Sequence, residues 1–286
     1  MSKINHTYRG ASCSPGNFSA QHLLINGRVV RDMIQLAGIT PHETVLDIGA
    51  GTGTISIPLA EKAARVLAIE NDPAFVRKLI DKTGGIPNIR VQECDFLQSK
   101  LPKQPFSVVA NIPFSITTPI LEKLLGKPDA PLRRAVLIVE KGAARRFTEA
   151  PSANPRLLSW RMLYEFRVVR TVERSAFSPP PAVDTAILTI SRREQPLIPA
   201  HLLAKFAALA AYALRSPHQP LFTALAGVFT PPQIAKLAKA LRVDRQSRVC
   251  TLRDGQWADV FAAMLRHAPP VRHPKLRRQG CRPCRK

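Results

Sequence analysis

The ten residues Thr44-Val45-Leu46-Asp47-Ile48-Gly49-Ala50-Gly51-Thr52-Gly53 restrict the architecture of this chain more than any other stretch. A β-branched apolar run leads directly into glycines at alternate positions, and a helical pattern begins at Thr54. Glycine can take backbone angles closed to other residues and leaves room for a ligand against the main chain. A second strand-like run, Arg65-Val66-Leu67-Ala68-Ile69, is followed by Glu70 and Asn71. A carboxylate at a strand end about 20 residues past a glycine loop is placed to accept hydrogen bonds from ribose hydroxyls. Together these features predict a nucleoside-cofactor site on a doubly wound sheet. The spacing Gly-x-Gly-x-Gly differs from the dinucleotide pattern Gly-x-Gly-x-x-Gly, which favours S-adenosylmethionine over NAD.

From Thr44 onward strands and helices alternate. Apolar strand-like runs occur at 44–48, 65–69, 89–93, 107–110 and 134–139, with helical patterns at about 54–63, 73–82 and 117–125. Such alternation predicts a parallel sheet covered on both faces, with ligands at the carboxyl ends of the strands. Upstream, Gln21-His22-Leu23-Leu24 opens an amphipathic segment predicted to be helical and to stop near Gly38.

Two further strand ends carry chemistry. Asp95, in Glu93-Cys94-Asp95-Phe96, can accept from an adenine amino group while Phe96 packs nearby; Asp is equally a common helix N-cap. Asn111-Ile112-Pro113-Phe114 follows Val108-Val109-Ala110. Proline fixes the backbone there, Asn111 offers a carbonyl oxygen to a substrate amino group, and Phe114 offers a π-face on which a base can stack.

Charge points to the partner. Forty-two Lys and Arg oppose 20 Asp and Glu, a formal net charge of +22. That excess suits a protein seated on a polyanion, nucleic acid before membrane, since no segment has the ~20 consecutive apolar residues of a span. The N-terminus lacks the order of a secretion signal, so a cytoplasmic location is expected. Cys13, Cys94, Cys250, Cys281 and Cys284 do not form a disulfide framework pattern. Cys281-x-x-Cys284 with His267 and His273 matches no familiar zinc spacing, so no metal is expected.

The combined motif set resembles the rRNA adenine N6-methyltransferases. That family has a glycine loop at the first strand, an acidic residue ending the second, Asp-Phe after the third and Asn-[Ile/Leu]-Pro-[Phe/Tyr] after the fourth. Gln21-His22-Leu23-Leu24 is similar to the family's Gln-Asn-Phe-Leu entry motif, with His22 where Asn is commoner. Val136 to Gly142 and Phe177-Ser178-Pro179-Pro180-Pro181-Ala182-Val183-Asp184 also resemble family segments, and the similarity runs from about Gln21 to Leu265.

The resemblance implies a Rossmann-like α/β fold for an S-adenosylmethionine-dependent methyltransferase, with a small C-terminal all-α domain. It implies a cofactor site of Gln21, His22, Leu24, Gly49, Ala50, Gly51, Gly53, Glu70, Asn71, Asp95, Phe96 and Asn111. Position 22 would meet the methionine end. Asn111, Ile112, Pro113, Phe114 and Phe177 would carry catalysis, with Phe177 beside the target base. Two branches share these motifs. The Erm type modifies one adenine of 23S rRNA and confers resistance to macrolides, lincosamides and streptogramin B; the KsgA type dimethylates adjacent adenines of small-subunit (16S) rRNA. Asn111-Ile112-Pro113-Phe114 with Ser115-Ile116-Thr117-Thr118, Trp160-Arg161-Met162, and Gln256-Trp257 favour the Erm branch. A non-catalytic rRNA-binding factor on the same fold would keep the basic surface but could lose the motif residues, which are intact here.

The expected organisation is a flexible arm over 1–20, a catalytic domain over 21–192, and a helical RNA-binding domain over 196–268. The helical domain would have about four helices, with breaks at Ser216-Pro217, Thr230-Pro231-Pro232 and Asp244. Residues 269–286 carry Arg272, Lys275, Arg277, Arg278, Arg282, Arg285 and Lys286 with no acidic residue, and are expected to be a disordered, RNA-seeking tail. A monomer acting on protein-free or early-assembly 23S rRNA is expected.

Overall fold

A computed structural model describes residues 22–275; the arm at 1–20, Gln21, and the part of the basic tail that holds Cys281 and Cys284 lie outside the described residues. In chain order, β1 (Leu23–Leu24) and α1 (Gly27–Ala37) precede β2 (Thr44–Ile48), α2 (Ser56–Ala60), β3 (Arg65–Glu70), α3 (Pro73–Thr83) and β4 (Ile89–Glu93). Then come β5 (Phe106–Asn111), α4 (Thr117–Leu125), β6 (Leu132–Glu140), α5 (Lys141–Thr148) and α6 (Pro155–Leu163). The catalytic part closes with β7 (Tyr164–Val172), β8 (Phe177–Ser178) and β9 (Thr185–Arg192). Four α-helices follow among the described residues: α7 (Leu203–Ala213), α8 (Leu221–Leu225), α9 (Pro231–Leu241) and α10 (Asp254–His267).

The seven-stranded sheet has the order β4-β3-β2-β5-β6-β9-β7. Its first five strands are parallel, and β2, β5 and β6 carry the buried apolar runs of strands covered on both faces, while the edge strand β4 is half-exposed. Chain progression runs outward from β2 through β3 to β4, then returns to β5 on the other flank. The switch between β2 and β5 opens a crevice at the carboxyl ends of the strands. β9 and β7 extend the sheet antiparallel, a departure from the purely parallel expectation.

Several expected boundaries shift for physical reasons. The amphipathic entry segment does not begin as helix. Leu23 and Leu24 pair antiparallel with Ser178 and Phe177, and α1 starts only after Asn26. The Asn26 side chain caps that helix, accepting from the Arg28 and Val29 amides at 2.9 and 3.3 Å. Gly38, at φ 55°, ends it in the left-handed region. The helix expected over 54–63 contracts to Ser56–Ala60.

The helical part is not independent of the sheet. One apolar core runs from Val108 and Leu137 in the strands through Leu163 to Phe206, Phe261 and Trp257. The polar stretch expected as a linker is tied back, since the Arg193 and Leu197 amides donate to the Leu163 and Met162 carbonyls. Arg161, 3% exposed, donates to the Phe147 and Glu149 carbonyls and lies 3.6 Å from the Asp254 carboxylate at the start of α10. A buried guanidinium survives only with such partners. At the C-terminal end, residues 269–275 of the stretch expected as a disordered tail have a described structure, and the rest lies outside the described residues. Pro270–Arg272 form a 3-10 turn, and the His273 ring bonds the Ala268 carbonyl at 3.0 Å. Among the described residues no helix is long and apolar enough to cross a membrane.

Candidate active site

The β2–α2 loop is built by glycines whose backbone excludes other residues. Gly49, Gly51 and Gly53 sit at φ 72°, 55° and 87°. The Gly49 and Ala50 amides donate to the Ile69 carbonyl at 2.8 and 3.1 Å, pinning the loop to the end of β3. A Cβ on Gly49 would lie 3.7 Å from Pro113 and 3.8 Å from the Asn111 carbonyl, so the glycine loop and the β5 terminus are neighbours.

Glu70 ends β3 and is 2% exposed. One carboxylate oxygen accepts from the Gly51 amide at 2.8 Å, and the other from the Asn71 and Asp72 amides at 2.8 and 3.0 Å. Glu70 therefore shapes the loop as well as ending the strand. At the next strand end, one Asp95 oxygen accepts from the Leu97 amide at 2.8 Å within a turn; no helix follows, so Asp95 is not a helix N-cap. Its second oxygen accepts a long hydrogen bond, 3.4 Å, from the Gln98 side-chain Nε2. Phe96 is buried, and Lys123 of α4 donates to the Phe96 and Ser99 carbonyls with its ammonium 4.7 Å over the Phe96 ring.

Asn111 stands at the end of β5, beside the glycine loop. Its Nδ2 donates to the His22 carbonyl at 2.7 Å, which determines which end of the amide is oxygen. The opposite atom, Oδ1, is buried and has no hydrogen-bond partner among the described residues. A buried acceptor without a donor costs free energy unless a ligand supplies one. Beyond it Ile112 is buried and Pro113 exposed, and Phe114 is half-buried, held by a turn in which Thr117 Oγ1 donates to its carbonyl at 3.0 Å.

Phe177 is placed differently from its expected position beside a base. It is 2% exposed and packs with Leu24, Val172, Ala176 and Ile187 in the apolar layer under β1. Pairing of β8 with β1 draws the ring inward, so its visible role is to seat Leu24 and hold the entry strand over the site.

Asp47 escaped the sequence reading, although it directly precedes the glycines. It is buried in β2, accepts from Ser56 Oγ at 2.6 Å, and its Oδ1 has no partner among the described residues. Burial pushes its carboxyl up to about 7, the Glu70 charge adding to this and the Ser56 hydrogen bond opposing it. The folded state thus holds this proton more tightly than the unfolded chain, so its contribution favours folding at low pH and is lost as pH rises from about 4 to 7. Asp47→Asn keeps the acceptor for Ser56 without the charge. The variant should match the parent's unfolding midpoint at pH 4 and exceed it at pH 8. Identical pH profiles would show that Asp47 is not the source of this dependence.

Comparison with known proteins bears directly on this arrangement. Residues 17–265 match the family described as ribosomal RNA adenine dimethylase. The chain belongs to this family. It is 40% identical over 283 residues to an rRNA adenine N-6-methyltransferase of Bacillus licheniformis, covering 98% of each chain. It is 33% identical over 259 residues to the ribosomal RNA small subunit methyltransferase A of a Synechococcus strain, covering 87% of this chain and 92% of that one. Among solved structures, the 23S rRNA methyltransferase ErmE superposes with a TM-score of 0.76 at 27% identity, over 84% of this chain and 98% of its own. The protein is an rRNA adenine N6-methyltransferase, and membership of that family implies S-adenosylmethionine as its methyl donor. The residues present suit such a donor: a glycine loop under a buried carboxylate, an acidic turn at the next strand end, and an orphaned amide oxygen where the loops meet.

Proposed function

We propose that this methyltransferase modifies N6 of one specific adenine in 23S rRNA, adding one or two methyl groups, and so confers macrolide–lincosamide–streptogramin B resistance. The unsatisfied buried oxygen of Asn111 carries the chemical reading. In the 23S assignment we follow the likeness to ErmE and the Erm-like motif details, Asn111-Ile112-Pro113-Phe114 followed by Ser115-Ile116-Thr117-Thr118.

In this reading Gly49, Ala50, Gly51 and Gly53 cradle the donor, with Glu70 and Asn71 at the ribose and Asp95 and Phe96 at the adenine. Gln21, His22 and Leu24 close the site from the entry strand. When bound, the donor supplies a methyl group already made electrophilic by its sulfonium. The obstacle then lies in the acceptor, because the lone pair of an adenine amino nitrogen is delocalised into the ring. Hydrogen bonds from that amino group to Asn111 Oδ1 and the Ile112 carbonyl favour a pyramidal nitrogen with its lone pair in line. Pro113 holds the two acceptors rigidly, and Phe114 stacks on a base flipped out of its RNA partner strand. Catalysis is then positioning and polarisation within a fixed electrostatic frame.

RNA would reach the site over a basic surface. One strand away from Asn111, at the carboxyl end of β6, Lys141, Arg145 and Arg174 line a cavity of about 330 Å³ together with Glu140 and Asp184. Radiolabelled methyl transfer distinguishes the two rRNA targets. Label should enter protein-free 23S rRNA and not immature small subunits, and expression in a susceptible bacterium should raise macrolide tolerance. Label confined to small-subunit rRNA would assign the enzyme to ribosome maturation.

A further inference from the structure

Lys123 lies in the last turn of α4, and its ammonium is spent on the turn that follows β4. Nζ donates to the Phe96 and Ser99 carbonyls, and to Ser99 Oγ at 3.2 Å. An ammonium has three N–H donors, so each of them has an acceptor within the protein. The charge also stands 4.7 Å from the centroid of the Phe96 ring, inside the ~6 Å reach of a cation–π contact. Within the turn, the Ser99 hydroxyl donates to the Phe96 carbonyl at 2.8 Å. The Gln98 and Ser99 amides donate to the Asp95 carbonyl at 3.0 and 3.1 Å. These bonds are local, and Leu97 and Gln98 are exposed; Lys123 adds a brace from another element. Burial pushes its ammonium down, and the charge of the nearby Asp95 carboxylate opposes this.

We propose that Lys123 is a positioning residue for the adenine end of the cofactor: it clasps the turn at 95–99 to α4 and thereby aims the Asp95 carboxylate at the adenine amino group. The inference rests on the reading of Asp95 and Phe96 as the adenine end of the site. One Asp95 oxygen is held by the Leu97 amide at 2.8 Å, and the other has only the long bond from Gln98. The direction of that second oxygen is therefore set by the backbone of the turn, and Lys123 holds the turn. Lysine suits the place. A cation near a helix C-terminus is favoured by the helix dipole, and a flexible stem lets one charge meet two carbonyls and a ring. A neutral side chain there would leave the turn with its local bonds alone. The same helix begins at Thr117, whose hydroxyl donates to the Phe114 carbonyl. One end of α4 is thus tied to the acceptor-base platform, and Lys123 ties the other to the donor's adenine.

The test compares two ligands by calorimetry on the full chain: S-adenosylhomocysteine and its analogue with hydrogen in place of the 6-amino group. The wild-type protein should bind the analogue about tenfold more weakly, for want of a hydrogen bond to a charged acceptor. Lys123→Met keeps the apolar stem and removes the donors. It should lose about fivefold or more in affinity for S-adenosylhomocysteine and stay within about twofold for the analogue, so that discrimination nearly disappears. KM for S-adenosylmethionine should rise in the same proportion, with kcat within about threefold. In the ligand-free protein, hydrogen exchange should quicken about tenfold at the Leu97, Gln98 and Ser99 amides and stay unchanged in β2 and β5. Lys123→Gln, which loses the charge but keeps a donor group, supplies the same comparison if the Met variant does not fold. Asp95→Ala is the control on the underlying reading and should abolish discrimination. If Asp95→Ala abolishes it and Lys123→Met keeps it, the inference is overturned while the placement of the adenine stands. If Asp95→Ala is also silent, both fall. Faster exchange spread evenly over the sheet, with both ligands weakened alike, would make Lys123 a general stabilising residue and overturn the proposal.

Discussion

Asn111→Ala should lower the single-turnover rate of methyl transfer about 100-fold or more, while affinity for S-adenosylhomocysteine changes less than about threefold. The expectation follows from the two ends of one amide. Nδ2 is already spent on the His22 carbonyl, so the oxygen is held in place before any substrate arrives. Oδ1 is buried without a partner among the described residues, which makes it an acceptor that a substrate amino group can satisfy. A hydrogen bond that strengthens as the nitrogen pyramidalises is realised mainly in the transition state, so its loss falls on the rate more than on ground-state binding. Asn111→Ala also frees the His22 carbonyl, and the Asn111→Ser variant, with a shorter donor and acceptor, should recover part of the rate. Unchanged single-turnover kinetics in Asn111→Ala would make this amide a turn residue and remove the mechanism proposed above.

Glu70→Ala should cost both stability and cofactor binding. Three backbone N–H groups lose their acceptor, and that of Gly51 lies inside the buried loop, where water cannot readily replace it. One stranded buried donor costs about 1–3 kcal/mol. The glycine loop then loses the contact that holds its middle against β3, so binding of S-adenosylhomocysteine should weaken about tenfold or more, together with a lower unfolding midpoint. Glu70→Gln keeps a single carbonyl acceptor and should fall between the two. Calorimetry and thermal unfolding on the same preparations check both parts. A Glu70→Ala protein with undiminished stability and affinity would show that the Gly51 contact is dispensable and that the ribose is held elsewhere.

These two residues were legible in the sequence because each ends a strand that can be read locally. The runs at 44–48, 65–70 and 106–111 form β2, β3 and β5 because parallel strands buried on both faces need unbroken apolar character. Gly49, Gly51 and Gly53 were equally legible, since their positive φ angles are a demand of a few bonds of backbone. The order of these motifs also sufficed to expose the family resemblance before any fold was drawn.

Contacts between distant segments were decided only by the tertiary structure. Leu23 and Leu24 became a strand, and not the start of α1, because Phe177 and Ser178 came to lie beside them. The same pairing buried Phe177, whose aromatic character alone could not distinguish a base platform from a core side chain. The antiparallel β9 and β7 owe their places to pairing along β6, which no local pattern records. Arg161 entered the sequence reading only as part of a branch-specific motif; its burial beside Asp254 of α10 is set by tertiary packing. Asp47 drew no reading from sequence, because its raised carboxyl arises from burial and the nearby charge of Glu70, which only the packed fold supplies. The Asn111–His22 and His22–Pro179 bonds join residues 89 and 157 positions apart. Local sequence determines backbone preference and which face is apolar; hydrogen-bond partners and electrostatic surroundings are set by which distant segments the packed sheet brings to the same end.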